Sequence, residues 1–442
     1  MRSTLKTTLV LCFILSFFLS ACANSGAPAP IPAATTVPNP THEPDIAADL
    51  TATIAPTSAE PASTPAVEFT SSPPAECRVV PVVPQADPQA ETQPPAETAA
   101  DHSYGAENPA ITILSYCTYQ NPACRTLVQN LFALEEKYPG QIRLVLRQYP
   151  QPEVEDKSLL AAYAAEAAAE SNRFWQVNDL LYQRQAEWTS LKTDEFLPWL
   201  AEELVLLGIS KEQFEANLNT PYIQERVVNA MRDAEPLMIS STPVLFFNGI
   251  VVKTRVNIES LEPLVAYFLM QETAQTTCPE FTIDPQKQYQ ATIKTEKGDI
   301  VVELFADKAP LAVNSFVHLA QTGWFDNTPI YKVIPGFIAE GGDPSGSGLG
   351  GPGYGFTDEV DPSLRFDRAG VLALDHLSNG LNAALFFITY APMPNLDGSF
   401  TIFGQVIEGM DVLNTLRPRN PESDAIILPA ETIITVTIKE VD

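Results

Sequence analysis

The chain has 442 residues, of which 54 are acidic and 26 basic, and its formal net charge is −28. This length is more than one hydrophobic core usually holds and indicates about two or three domains. The acidic balance argues against nucleic acid or an anionic membrane surface as a partner. The 39 prolines are well above an ordinary share and indicate that part of the chain is extended and unpacked.

The first 22 residues have the pattern of an export signal that ends in a cysteine. Basic Arg2 and Lys6 precede an apolar run, LVLCFILSFFL, that is too short for a convincing spanning helix. The following LSAC ends at Cys22 and is similar to the lipobox of bacterial lipoproteins, in which the cysteine is acylated. This resemblance implies a signal peptide at 1–22 and an extracytoplasmic protein that Cys22 anchors to the bacterial cell membrane. An ordinary cleavable signal is the alternative.

Residues 23–105 are rich in Pro, Ala, Thr and Glu and show no sustained apolar period. Such a segment buries too little apolar surface to offset its conformational entropy, so we predict a disordered tether. Cys77 and its apolar surroundings, CRVVPVV, interrupt the tether. We expect this patch to pack on the next domain, with plain linker as the alternative.

A β-α-β order opens the first folded domain, which we predict at 106–275. AITILSY has the pattern of a strand, RTLVQNLFALEEKY of a helix and IRLVLRQY of a second strand. A parallel strand pair with a crossover helix follows from this order. Further helices continue to about Arg232, and STPVLFFNG then supplies a Thr-Pro pair, a strand and a turn. The segment is therefore predicted to be an α/β domain with a helical insertion.

These segments resemble the DsbA-type branch of the thioredoxin fold, in YCTYQNPAC, FWQVNDLLY and STPVLFFNG. In that family a Cys-Pro-x-Cys motif lies at a helix N-terminus, which lowers the pKa of the first thiol. The match places Asn121 at the first cysteine, Pro122 at the proline and Cys124 at the second cysteine. Pro243, which follows Thr242, matches the cis-proline that faces the motif. Because asparagine cannot form a thiolate, the resemblance implies a degenerate redox site.

The predicted extracytoplasmic location favours disulfides between the remaining cysteines. Cys117 precedes Cys124 by seven positions, and a structural disulfide across this loop is the favoured interpretation. Separate thiols and a working redox pair are the alternatives. Cys77 and Cys278 flank the first domain and would clasp its ends. Four cysteines allow three pairings, and the sequence does not choose between them.

The second folded domain is predicted at 283–442. YQATIKTEKGDIVVELF has the pattern of a hairpin, APLAVNSFVHLAQTG of a helix that starts near Pro310 and stops at Gly323, and TIITVTIKEV of a final strand. Short strands and glycine loops lie between them, and a late helix is expected at IEGMDVLNTL. Many short strands with two helices predict a closed β-barrel with helical caps.

The same stretch is similar to a cyclophilin over essentially the whole domain, in GDIVVELF, IYKVIPGFIAEGGDP, GVLALD and LFFITYAPMPNLDGSF. The resemblance implies peptidyl-prolyl cis-trans isomerisation of proline-containing polypeptides. An apolar pocket grips the proline ring, while a guanidinium and amide donors stabilise the twisted bond, so no nucleophile is needed. No cofactor or metal is expected, since the four histidines show no ligand spacing.

The resemblance also assigns roles to single residues. Lys332 stands at the position of the family's catalytic arginine, and the implied catalytic set is Lys332, Phe337 and Glu340. The implied peptide-binding residues are Ile338, Asp375, His376, Leu385, Phe387, Asn395, Leu396 and Phe400. Lysine keeps the charge of arginine but loses its planar fork, and a pair with Glu340 would neutralise it. We therefore expect weak isomerase activity or none, with proline-peptide binding retained.

Three functions remain open at this point. An envelope folding factor with cyclophilin-type isomerase activity is favoured by the extent of the resemblance. A non-catalytic proline-peptide-binding chaperone or scaffold is favoured by the substitutions at Lys332, Leu385 and Asn121. A thiol-disulfide oxidoreductase is the remote alternative, because Asn121 removes the attacking cysteine.

Overall fold

The folded part of the chain begins just before the apolar CRVVPVV patch. A computed structural model describes residues 76–84, 86 and 93–441. The predicted signal peptide, the lipidation site at Cys22 and most of the predicted tether lie outside the described residues. Within the described ranges, no helix has the length and apolar character needed to cross a membrane.

The first half of the described chain contains six strands and eight α-helices. The strands are β1 (Cys77–Val79), β2 (His102–Gly105), β3 (Ile111–Cys117), β4 (Ile142–Gln148), β5 (Val244–Phe247) and β6 (Ile250–Val252). The helices are α1 (Pro122–Lys137), α2 (Ser158–Ala169), α3 (Phe174–Gln183), α4 (Gln185–Trp188), α5 (Thr193–Leu206), α6 (Lys211–Leu218), α7 (Pro221–Asp233) and α8 (Ile258–Leu269). The block α2–α7 is the predicted helical insertion.

A five-stranded sheet in the order β2-β4-β3-β5-β6 forms the centre of the first domain. β3 and β4 are parallel and α1 connects them, which confirms the predicted β-α-β unit. Side chains alternate along β3, so that Ile113 and Cys117 join the large core while Leu114 and Tyr116 pack on the opposite face. β2 lies within the range predicted as a disordered tether. It is ordered because it pairs with β4 as an antiparallel edge strand.

The second half contains ten strands and two α-helices. The strands are β7 (Gln288–Thr295), β8 (Gly298–Leu304), β9 (Thr328–Ile330), β10 (Lys332–Val333), β11 (Ile338–Gly341), β12 (Tyr354–Phe356), β13 (Val371–His376), β14 (Asn382–Thr389), β15 (Ile402–Glu408) and β16 (Glu431–Val441). The helices are α9 (Pro310–Gln321) and α10 (Met410–Leu413). The predicted hairpin, the helix at Pro310 and the final strand are confirmed.

The strands of the second domain form one sheet with the path β1-β12-β14-β13-β15-β8-β7-β16-β9. β11 branches from β14, and β10 pairs with β11. In the described part of the chain, no ladder joins β9 back to the other end of this path. The closed barrel therefore stays a prediction.

Residues 77–83, which we call the bridging segment, contact both domains. β1 extends the sheet of the second domain through β12, and Cys77 forms a disulfide with Cys278. The two valines that follow are buried in the core of the first domain, and Gln271 Oε1 accepts a hydrogen bond from the Val82 amide at 3.1 Å. The bridging segment, although it lies in the range predicted as tether, therefore connects the two domains.

Removal of this disulfide is expected to destabilise the chain. The Cys77–Cys278 bond closes a loop with a sequence separation of 201 residues. On the loop-entropy account, replacing both cysteines with serine lowers the free energy of unfolding by up to about 5 kcal/mol. Urea denaturation with and without reductant measures the change. Reductant should lower the urea midpoint of the wild type and leave that of the double variant unchanged. An identical wild-type midpoint with and without reductant would contradict the expectation.

Candidate functional site

The side chains that the sequence predicted for the proline pocket form an apolar cluster in the second domain. Ile338, on β11, and Phe387, on β14, lie on paired strands and join a small cluster separate from the main core. Leu396 and Phe400, from the loop before β15, are half-buried against the same cluster. Phe337 lies in the turn before β11 and is 40% exposed. These residues therefore form a largely buried apolar cluster, and the exposed Phe337 lies next to Ile338 in the chain.

Close backbone packing holds the end of β11 in place. Gly342 follows β11 with φ of 96°, a conformation that side chains disfavour. A Cβ atom there would collide with the backbone carbonyl of Ala384. Glycine at this position lets the turn after β11 approach β14.

A cation lies opposite a buried carboxylate on the β10–β11 ladder. The ladder pairs Lys332 with Glu340, and Lys332 Nζ lies 3.4 Å from Glu340 Oε1. A second carboxylate, that of Glu422, approaches Nζ to 3.1 Å. The predicted pairing of Lys332 with Glu340 is confirmed, and Glu422 is a partner that the sequence did not reveal.

Burial and charge act in opposite directions in this cluster. Burial raises the pKa of Glu340, and the nearby Lys332 ammonium offsets this rise only in part. Partial burial by itself would lower the pKa of Lys332, but Glu340 and Glu422 hold it above its ordinary value. Lys332 therefore stays charged, and two carboxylates compete with any substrate for its ammonium group.

The two residues predicted to hold the substrate backbone lie at the end of β13. The backbone N–H of His376 donates to Oδ1 of Asp375 at 2.8 Å. The His376 ring stacks on Phe400 with centroids 5.1 Å apart, and its Nε2 lies 3.0 Å from Oδ2 of Asp358. Asp358 raises the pKa of His376, mainly through this hydrogen bond. His376 thus places a histidine–carboxylate pair beside Phe400 of the apolar cluster.

Two other predicted peptide contacts differ in their exposure. Asn395 is exposed, as a peptide contact requires. Leu385 is only 1% exposed and packs against Tyr331 and Leu377 inside the domain. Leu385 lies two residues before Phe387 on β14, so the two side chains leave the strand on the same face, and its role as a peptide contact stays a prediction.

The degenerate redox motif of the first domain keeps the geometry of its family although it lacks the first thiol. Asn121 is the N-cap of α1, and its Oδ1 accepts a hydrogen bond from the Ala123 amide at 2.8 Å. Its Nδ2 donates to the carbonyl of Thr242 at 3.1 Å. The Thr242–Pro243 bond is cis, as the resemblance implied. Asn121 thus replaces a nucleophile with a helix cap.

The favoured disulfide between Cys117 and Cys124 does not form. Both residues carry free thiols and are buried between β3 and α1. Burial raises the pKa of the Cys117 thiol well above its ordinary value, and the adjacent Cys124 adds to the effect. The structure therefore corrects the prediction, because two buried thiols pack here as small apolar groups. Of the pairings left open, Cys77–Cys278 is the one that the structure forms.

The comparisons with known proteins cover both domains. Residues 290–439 match the family described as cyclophilin type peptidyl-prolyl cis-trans isomerase/CLD, and residues 97–266 match the family described as thioredoxin. A peptidyl-prolyl cis-trans isomerase-like 1 of Gibberella zeae is 40% identical over 127 residues, which are 28% of this chain and 78% of that relative. A probable peptidyl-prolyl cis-trans isomerase A of Mycobacterium bovis is 40% identical over 146 residues, which are 30% of this chain and 80% of that relative.

A solved structure gives a similar local match. A crystal structure of a Cryptosporidium parvum cyclophilin type peptidyl-prolyl cis-trans isomerase shares 37% identity, with a TM-score of 0.32. The match covers 35% of this chain and 99% of that chain. The family matches place the second domain in the prolyl isomerase class, next to a thioredoxin-like domain. The chain belongs to the cyclophilin-type peptidyl-prolyl cis-trans isomerase family.

Restoring the first cysteine of the redox motif tests the match at Asn121. The variant Asn121→Cys places a thiol at the N-cap of α1, where the helix dipole and free amides stabilise a thiolate. We expect the new thiol to form a disulfide with Cys124 and the variant to catalyse insulin reduction. Disulfide mapping by mass spectrometry and a turbidity assay measure both, with Asn121→Ala as the control. A disulfide between Cys117 and Cys124 instead would contradict the match.

The ion pair of His376 predicts a pH-dependent stability. Because Asp358 raises the folded-state pKa of His376, the pair contributes fully below the unfolded value of about 6.5. This contribution is lost as the pH rises through the folded-state pKa. Urea midpoints measured across that range should fall with pH more steeply in the wild type than in His376→Asn. Parallel pH profiles for the two proteins would show that the pair adds no stability.

Proposed function

We propose that the chain is a cell-envelope folding factor whose second domain isomerises X-Pro bonds of secreted polypeptides slowly. One observation carries the low rate: Lys332 is paired with Glu340 and Glu422, while the side chains predicted for the proline pocket still form an apolar cluster. An ammonium group that is already paired with carboxylates stabilises a substrate carbonyl or prolyl nitrogen less well than an unpaired one. The pocket still supplies the apolar surface on which proline binding depends.

The envelope location is also a proposal, supported by two features. The first is the signal-like N-terminus with its lipobox at Cys22. The second is the Cys77–Cys278 disulfide, since such bonds persist mainly in oxidising compartments. Slow X-Pro rotation, which takes tens to hundreds of seconds, limits the folding of secreted chains and gives an isomerase a role there. Lipid attachment at Cys22 would place the domains beside newly exported clients.

A non-catalytic proline-peptide binder is the second candidate. The same cluster favours it, because Lys332 lacks the planar fork of arginine and both its carboxylate neighbours compete for it. Binding and isomerisation are separable by experiment, since the apolar pocket and the cation act on different parts of the substrate. Thiol-disulfide exchange is not supported, because Asn121 is the N-cap of α1 and has no thiol.

A substitution series at Lys332 tests the proposal in the full chain. Lys332→Arg is expected to raise kcat/KM for X-Pro isomerisation by about tenfold, which is about 1.4 kcal/mol, because a guanidinium holds two acceptors together. Adding Glu340→Gln should raise it further, since this change removes the buried carboxylate that competes for the cation. A protease-coupled or NMR exchange assay measures the rates.

Lys439→Arg is the matched control, because it makes the same change at an exposed position on β16. A wild-type rate equal to that of an ordinary cyclophilin would contradict the proposed slow catalysis. If no variant isomerises but all bind a proline peptide by NMR titration, the non-catalytic binder is the better description.

A further inference from the structure

The two domains also meet beside the cation of the isomerase site. Arg255 lies between β6 and α8 of the first domain, and its Nη1 donates to the backbone carbonyl of Asp424 in the second domain. Its Nη2 lies 3.5 Å from the carbonyl of Glu422. A cleft of about 490 Å³ adjoins this contact and is lined by residues of both domains. Arg255 thus contacts the backbone of the loop that carries Glu422. The Glu422 side chain in turn reaches Lys332.

This loop, residues 419–424, is ordered by its own hydrogen bonds. The Asn420 amide donates to Oδ2 of Asp424 at 2.7 Å, and the Glu422 amide donates to Oδ1 of Asn420 at 3.1 Å. At the start of the loop, Arg419 and Val333 exchange backbone hydrogen bonds of 2.9 and 2.7 Å. The loop therefore begins directly beside β10, which carries the isomerase cation.

The position of the Glu422 side chain depends on this backbone. Its carboxylate is 77% exposed, yet it lies 3.1 Å from Lys332 Nζ. An exposed carboxylate gains little from such a pair and ordinarily stays solvated unless the backbone fixes its position. Glu340, by contrast, is buried and stands opposite Lys332 by strand register alone. Of the two carboxylates, only Glu422 is placed by a loop that the first domain contacts.

We propose that Arg255 is a positioning residue of the isomerase site: by holding the 419–424 loop, it keeps Glu422 on Lys332. The first domain thereby lowers the availability of the cation to a substrate. The inference rests on the proposed isomerase function and deepens it. It assigns the thioredoxin-like domain a role in setting the isomerase rate that needs no redox chemistry.

Variants of the full chain test the coupling. Arg255→Ala and Glu422→Gln should each raise kcat/KM by about two- to fivefold, the range that one partly exposed ion pair supports. The double variant should match Glu422→Gln alone, because both changes remove the same contact from Lys332. Arg255→Lys, which keeps a charged donor, should restore much of the wild-type rate. Lys253→Ala removes a neighbouring positive charge from the same cleft and should leave the rate unchanged.

A second measurement does not depend on catalysis. Acetic anhydride acylates free amines, and mass spectrometry compares Lys332 with exposed Lys439 in the same sample. Freed from Glu422, Lys332 should react faster in both Arg255→Ala and Glu422→Gln. Unchanged Lys332 labelling in Arg255→Ala, or additive rate gains in the double variant, would overturn the positioning role. Faster labelling without measurable isomerisation in any variant, Lys332→Arg included, would support the positioning role while rejecting the proposed function.

Discussion

The contact on which the arrangement of the folded chain depends is made by the bridging segment. It adds β1 to the edge of the second domain and buries two valines in the core of the first. The Cys77–Cys278 disulfide ties its start to the linker between the domains. The bridging segment forms backbone hydrogen bonds with the sheet of the second domain and buries apolar side chains in the first. These contacts restrict the movement of one domain relative to the other. The meeting of Arg255 with the 419–424 loop is possible only within such a fixed arrangement.

In the function proposed for this chain, recognition and charge stabilisation rest on different parts of the isomerase site. Recognition rests on buried aromatic and aliphatic surface, which the fold needs for its own packing and therefore retains. Charge stabilisation rests on Lys332, whose surroundings depend on partners from β11 and from a distant loop. A pocket that is part of a core tolerates few changes, whereas the availability of a surface cation changes with a single neighbour. The proposal therefore implies that binding and catalysis in this domain are sensitive to different substitutions.

The sequence predicted the features that depend on local pattern. The β-α-β unit, the hairpin, the helix at Pro310 and the pair of Lys332 with Glu340 all lie in short, strongly patterned stretches. The motif match at Asn121 predicted a position that the structure shows to be a helix cap beside a cis-proline. Periodicity and motif order are sufficient to predict the structure where the partners of a residue are close in sequence.

The features that escaped prediction depend on partners distant in sequence. Glu422 lies 90 residues from Lys332, and nothing in its surroundings marks it as a partner. β2 has too few apolar residues to stand out, and its place follows only from the free edge of β4. The thiols of Cys117 and Cys124 were predicted to bond because the compartment favours disulfides, but compartment does not determine which sulfurs pair. In each case, contacts with residues distant in sequence determine the structure, and local sequence pattern does not record them.

The position of the bridging segment also has a consequence for the order of assembly. The chain is synthesised amino end first, so Cys77 appears long before Cys278 and before β12, with which β1 pairs. Domains generally fold as units in the order of synthesis, and contacts between distant residues form late. The first domain can therefore complete its core while the disulfide and the edge pairing still lack partners. The bridge cannot close before β12 has been synthesised, so its closure follows the folding of the first domain.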